Sequence, residues 1–139
     1  MTELTSPPKN KTAGDQDLFT IEFEVAGLPP SPNAAYGQHW SKLRKTKAEW
    51  VEAVQTAAVE AKRVAQLKGL FDQCHIHFQI SFGDKRRHDP DNISWAVTKP
   101  TLDALKDVLL VDDNIDCIEL SYSYDRSKPR RFRVTLTGR

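Results

Sequence analysis

Two pairs of aspartates, with one lysine between them, are the residues of this chain whose types and spacing suit chemistry. Asp89 and Asp91 stand two apart in the run His88-Asp89-Pro90-Asp91-Asn92. In an extended chain, residues i and i+2 point the same way, so both carboxylates can reach one cation. Pro90 fixes the spacer and is expected to deny it a helical start. Carboxylates this close repel until a cation neutralises them. Mg²⁺ is such a cation, since it takes one or two carboxylates together with phosphate and water. The same run also reads as a helix cap formed by Asp91 or Asn92, and spacing does not separate the two readings. Asp112 and Asp113 form the second pair. If that pair is extended, one of its members reaches the site while the other orients a ligand or faces solvent. A plain acidic turn beside Asn114 is the alternative. Lys99, between the pairs, can bind phosphate, stabilise a leaving oxygen or help activate water. As a lone helical lysine it can equally be solvated.

Net charge is only +1, but its distribution is uneven. From Asp89 to Glu119 there are eight acids and two bases, so that segment carries −6 and the remainder +7. The bases gather in Lys42–Lys47, Lys85–Arg87 and Arg126–Arg133. An acidic patch framed by basic ones suits phosphodiester cleavage, with the acids holding cations and the bases holding flanking backbone. Solvated charged faces would give the same pattern. The candidate DNA contacts are Lys42, Arg44, Lys45, Lys85, Arg86, Arg87, Arg130 and Arg131.

The elements that must position these residues follow from periodicity. Residues 1–17 are polar and rich in Pro, Lys and Thr, as in a disordered tail preceding a single domain over 18–139. Phe19, Ile21, Phe23 and Val25 alternate with polar residues, which predicts a strand. The run Gly27 to Asn33, with three prolines, is a loop. Val51, Val54, Ala58, Ala61 and Ala65 recur at helical spacing, widened by Leu43, Trp50, Ala57 and Val64. They predict a helix from Trp40 to about Lys68, ended by Gly69. Cys74, Ile76, Phe78, Ile80 and Phe82 line one face of a second strand, and a basic loop follows to His88. A second helix is expected over Asn92–Leu109, with Ile93, Val97, Ala104, Leu105 and Val108 on its apolar side. Pro100 should kink it, or divide it so that Thr98 caps a second piece. A turn at 111–114 and strands over 115–124 and 130–137 complete the order β-α-β-α-β-β. That order predicts an α+β domain, a small mixed sheet of about four strands with two main helices.

With the elements placed, the order of motifs becomes more specific than any one of them. Asp-x-Asp-Asn, then Lys99-Pro-Thr-Leu-Asp103-Ala-Leu, then Asp112-Asp113-x-Ile resembles the RusA family of Holliday junction resolvases. The strand, the run Gly-Leu-Pro-Pro-Ser-Pro-Asn and the Trp-bearing basic helix resemble the family's N-terminal half. The likeness spans roughly Phe19 to Thr137. It implies a homodimer of small α+β subunits, using Mg²⁺ or Mn²⁺, that nicks four-way DNA junctions symmetrically. It also implies metal-binding aspartates at Asp89, Asp91 and Asp113, a catalytic lysine at Lys99, and supporting roles for Asn92 and Asp112. One departure stands out. The family lysine follows the second aspartate by four residues, whereas Lys99 follows Asp91 by eight. The added turn is worth about 5–6 Å of helical rise. An arrangement in which the extra residues bulge or form a separate piece is expected to return Lys99 to the site.

The remaining candidates point elsewhere. His75 and His77 share the polar face of their strand, away from the acids. They can pair on a metal, though exposed histidines are expected. His88 can contact phosphate or a carboxylate, and Trp95 can stack on a base or simply be buried. Cys74 and Cys117 lack zinc or disulfide spacing and read as reduced core residues of a cytoplasmic protein. No apolar run has membrane-spanning length. A non-catalytic module for branched nucleic acid, or a metal-binding structural protein, would use the same residue types.

Overall fold

The computed structural model describes residues 18–27, 40–84, 90–126 and 129–139, with backbone alone at 40–43, 90–93 and 95. The expected tail, the proline-rich run after Gly27 and the basic loop at 85–88 lie outside the described residues. Six elements follow the expected order: β1 (Phe19–Ala26), α1 (Trp40–Ala65), β2 (Cys74–Ser81), α2 (Pro90–Leu105), β3 (Ile118–Asp125) and β4 (Arg131–Gly138). The strands form one mixed sheet in the order β1-β4-β2-β3. β4 is antiparallel to both β1 and β2, and β2 is parallel to β3. A parallel pair needs a long crossover, and α2 supplies it.

Alternation decides which face of the sheet is covered. Ile21, Phe23, Val25, Ile76, Phe78, Ile80, Phe132, Val134 and Leu136 are all buried. Trp50, Val54 and Ala58 of α1, and Val97, Ala104 and Leu105 of α2, join them in one core. Phe132 is its aromatic hinge, with ring centroids 5.4 Å from Trp50 and 5.5 Å from Phe78. Gly138 closes the other end of β4. A Cβ there would run into the Gln73 carbonyl and Cys74, so the close approach of the strands requires glycine.

Five local expectations are corrected. α1 ends at Ala65, not near Lys68, and Gly69 is not its terminator. Gln66 takes φ +58°, with Gln66 N donating to Arg63 O and Leu67 N to Lys62 O. This is a Schellman stop with glutamine in the position glycine usually fills. Val64 lies outside the apolar stripe and is exposed. Pro90, expected to block a helical start, is the first residue of α2, a position where a missing N–H costs nothing. Pro100 does not divide α2, which runs unbroken from Pro90 to Leu105. Its lost hydrogen bond is confined to one rung, and Thr98, instead of capping a second piece, sits mid-helix and bonds to the Tyr122 hydroxyl. The last strands also start slightly late: β3 at Ile118, because residues 115–117 form a turn, and β4 at Arg131.

Candidate functional site

Both helices begin at one end of the domain. Trp50 of α1 meets Phe132 near the start of β4, while Lys62 Nζ donates to the Val108 carbonyl beyond the end of α2, at 2.9 Å. Ser94 and Thr98 of α2 bond Tyr124 and Tyr122, so α2 runs antiparallel to β3. The exposed Arg44 and Lys45, in the early turns of α1, therefore share an end with the exposed Arg130 and with the first turn of α2. Arg131 is less available. It lies 3.9 Å from Glu24 across the sheet, so its charge is partly matched. The side chain of Lys42, and Lys85, Arg86, Arg87 and His88 altogether, lie outside the described residues.

The acidic turn sits towards the far end of α2. It is not a strand, so the expected up-and-down alternation of Asp112 and Asp113 does not apply. Asp112 builds the turn. Its Oδ1 accepts the Asp113 N–H at 2.8 Å and its Oδ2 the Asn114 amide at 3.0 Å. Asn114 in turn accepts the Asp116 N–H at 2.9 Å. Lys106 approaches Asp112 at 3.9 Å. The Asp113 N–H, with smaller help from the Asn114 amide, Lys106 and the Asp113 side chain, holds the Asp112 carboxyl below the usual carboxylate range against the opposing effect of burial. The turn thus commits the Asp112 carboxylate, while the Asp113 side chain meets Asp112 and forms no ion pair among the described residues.

Lys99 is the link between the turn and α2. Its ammonium lies 3.1 Å from Asp103, one turn on, and also feels the charge of Asp113. The bond to Asp103, then the charges of Asp103 and Asp113, hold Lys99 above the ordinary lysine range. It is therefore a firm cation, suited to phosphate or a developing oxyanion and unsuited to removing a proton from water.

Asp91 and Asn92 lie in the first turn of α2. Eight residues of unbroken helix place Lys99 about 12 Å along the axis from Asp91 and about 80° round it. In a helix, i and i+2 do not point together, so the extended-chain reason for pairing Asp89 with Asp91 fails for Asp91. Asp89 is outside the described residues, as are the side chains of Asp91, Asn92 and Trp95. Among the described residues, no three of His, Cys, Asp or Glu gather to hold a metal ion. The fit to Mg²⁺ is thus limited here to Asp113, a hard-oxygen ligand whose charge reaches Lys99.

Two groupings escaped the sequence reading. Asp103 as the partner of Lys99 was signalled by the i,i+4 spacing. The cluster of His75, His77, Glu119, Ser121 and Ser123 on the open sheet face needed the β2–β3 register to be seen. Cys74 and Cys117 are free thiols, and burial, then nearby Cys117, pushes Cys74 up to about 11. Among the described residues no helix is long and apolar enough to cross a membrane. The chain matches no protein-family model and no curated protein.

Proposed function

We propose that this chain is a metal-dependent, structure-selective endodeoxyribonuclease of the RusA type, acting on four-way DNA junctions. The observation that carries the reading is Asp113. Its neighbour Asp112 is committed to shaping the turn, whereas the Asp113 carboxylate forms no ion pair among the described residues and its charge reaches Lys99, on the helix whose first turn holds Asp91 and Asn92. Asp89, Asp91 and Asp113 would hold Mg²⁺ or Mn²⁺ only if the start of α2 and the Asp112–Asp113 turn are brought together, as on a bound junction; the ion would then supply an activated water and a Lewis acid at the phosphate. Lys99, a fixed cation, would bind the scissile phosphate or steady the leaving oxygen. Arg44, Lys45 and Arg130 would hold the flanking backbone, with Lys85, Arg86 and Arg87 beside Asp89 in sequence. Paired nicks across a two-fold junction need two sites, hence a homodimer. The free thiols suit a reducing, cytoplasmic setting.

One observation favours a second reading, a module that binds branched nucleic acid without cutting it. The unbroken α2 keeps Lys99 about 12 Å along the helix from Asp91. A single experiment separates the two. A synthetic four-way junction is incubated with the chain in Mg²⁺ and in EDTA, beside Asp91→Asn and Asp113→Asn variants. Mg²⁺-dependent nicking that either variant abolishes, with junction binding kept, is the expected result. Binding without nicking under any metal assigns the second reading, and neither binding nor nicking rejects both.

A further inference from the structure

We propose that His75 and His77 form a two-imidazole site for a late first-row transition-metal ion, of which Zn²⁺ is the probe, on the open face of the sheet. The helices cover one face only. On the other, β2 presents His75, His77 and Gln79, and β3 presents Glu119, Ser121, Ser123 and Asp125 in parallel register. The two imidazoles converge. His75 Nε2 is 2.7 Å and His77 Nδ1 2.6 Å from the same Ser121 Oγ. The two nitrogens therefore cannot be more than 5.3 Å apart, the sum of those two distances. A tetrahedral Zn²⁺ with bonds of about 2.0–2.1 Å wants its ligand atoms about 3.3–3.4 Å apart. A small rotation of two partly exposed rings closes that gap, and the ion takes the place where the hydroxyl now sits.

The far side of each ring supports the same reading. A metal-bound histidine usually gives its remaining N–H to a carboxylate or another oxygen, which fixes tautomer and orientation. His77 Nε2 faces Ser123 Oγ at 2.9 Å. His75 Nδ1 faces Glu119 Oε1 at 3.8 Å. Each imidazole thus has one nitrogen turned to the shared point and the other turned to an acceptor. The order Ser121, His75, Glu119 also resembles a nucleophile, base and orienting carboxylate. Two rings share that hydroxyl, however, and β2 is paired on both sides, so its amides are committed to neighbouring strands and offer no oxyanion hole. Ligand chemistry sets this site apart from the aspartates as well. Imidazole selects zinc, nickel and copper, whereas carboxylate and water suit magnesium. The proposal is independent of nuclease activity. With two protein ligands, water fills the remaining positions.

Zn²⁺ titrated into the full chain, followed by calorimetry and by the histidine ring signals in NMR, tests this. One equivalent is expected to shift the His75 and His77 resonances together. His75→Ala and His77→Ala should each weaken binding at least ten-fold. Glu119→Gln should weaken it about ten-fold through His75. Ser121→Ala should bind as tightly as the parent or more so, because the hydroxyl no longer competes. His77→Gln keeps a hydrogen-bonding side chain and substitutes for His77→Ala if the latter melts early. Undiminished zinc affinity in the double histidine variant, or no shift of either ring signal at saturating zinc, overturns the proposal.

Discussion

At the scale of single residues, the acidic turn divides its labour. Asp112 accepts the two hydrogen bonds that shape the turn, from the Asp113 N–H and the Asn114 amide. The two should therefore differ sharply on substitution. Asp113→Asn should remove metal-dependent nicking and leave the turn intact, whereas Asp112→Asn should loosen the turn. Lys99 belongs to the same scale. If it acts on phosphate, Lys99→Ala should slow single-turnover cleavage by orders of magnitude, with little change in melting temperature, since its ion pair with Asp103 is exposed. Lys99→Arg should restore part of the rate. Slowing of only a few-fold on Lys99→Ala would mark it as an ordinary solvated lysine. The pH dependence of the turn also follows from its contacts. The folded Asp112 carboxyl is held below its unfolded value. Its contribution is fully present above about pH 4 and is lost as pH falls through the lowered folded value. Protection of the Asp113 and Asp116 amides, taken as exchange relative to the intrinsic rate at each pH and followed by NMR from pH 7 downward, should fall only in that acidic window. Loss of protection already above pH 5 would assign the order of the turn to something other than Asp112.

At the scale of elements, the sequence was most legible where one periodicity ran uninterrupted. The alternation of Ile21, Phe23 and Val25, and of Cys74 through Ile80, placed two strands to within a residue or two. It was least legible where one residue type serves two purposes. Proline at a helix start and proline as a breaker look alike, so Pro90 and Pro100 were misread. Gly69 drew the end of α1 away from Gln66, since a left-handed glutamine has no mark in sequence. Of the site, Lys99 and Asp113 were legible as types, but their separation from Asp91 depended on whether Pro100 would break α2. Tertiary packing decided that, because Val97, Leu102, Ala104 and Leu105 bury α2 on both sides of the proline. This suggests a test. Proline in a helix interior is about 3 kcal/mol worse than alanine. Trimming its buried ring loses roughly two CH₂ groups, about 1.6 kcal/mol, and frees the unfolded chain by about 0.4–1 kcal/mol. Pro100→Ala should then stabilise the domain by about 0.5–1 kcal/mol in urea denaturation. A loss of stability instead would mean that the packing of the ring outweighs the restored hydrogen bond.

At the scale of the whole molecule, charge and topology are arranged along one axis. The bases Arg44, Lys45 and Arg130 share the end where α1 and α2 begin, and the Asp112–Asp113 turn lies towards the other. If the chain binds junctions as proposed, that binding should weaken steeply with salt. Arg44→Ala with Lys45→Ala should lower affinity and reduce the log–log salt slope by about two. An unchanged slope would move the DNA to another surface. Arg131→Ala should matter less, since Glu24 already holds it.

The position of β4 has a different consequence, one for biosynthesis. Among the described residues β4 comes last of the four strands, yet it lies between β1 and β2 and joins them. Glu24 and Arg133, partners across that seam, are 109 residues apart in sequence. A ribosome making this chain releases β1 long before the strand that shelters it. Until residues 131–138 clear the exit tunnel, Ile21, Phe23 and Val25 stand on an unpaired ribbon, open to wrong partners. Long-range pairing of this kind is slow to form. Joining β1 to β2 therefore waits on residues 131–138, and until they are made β1 is exposed to mispairing.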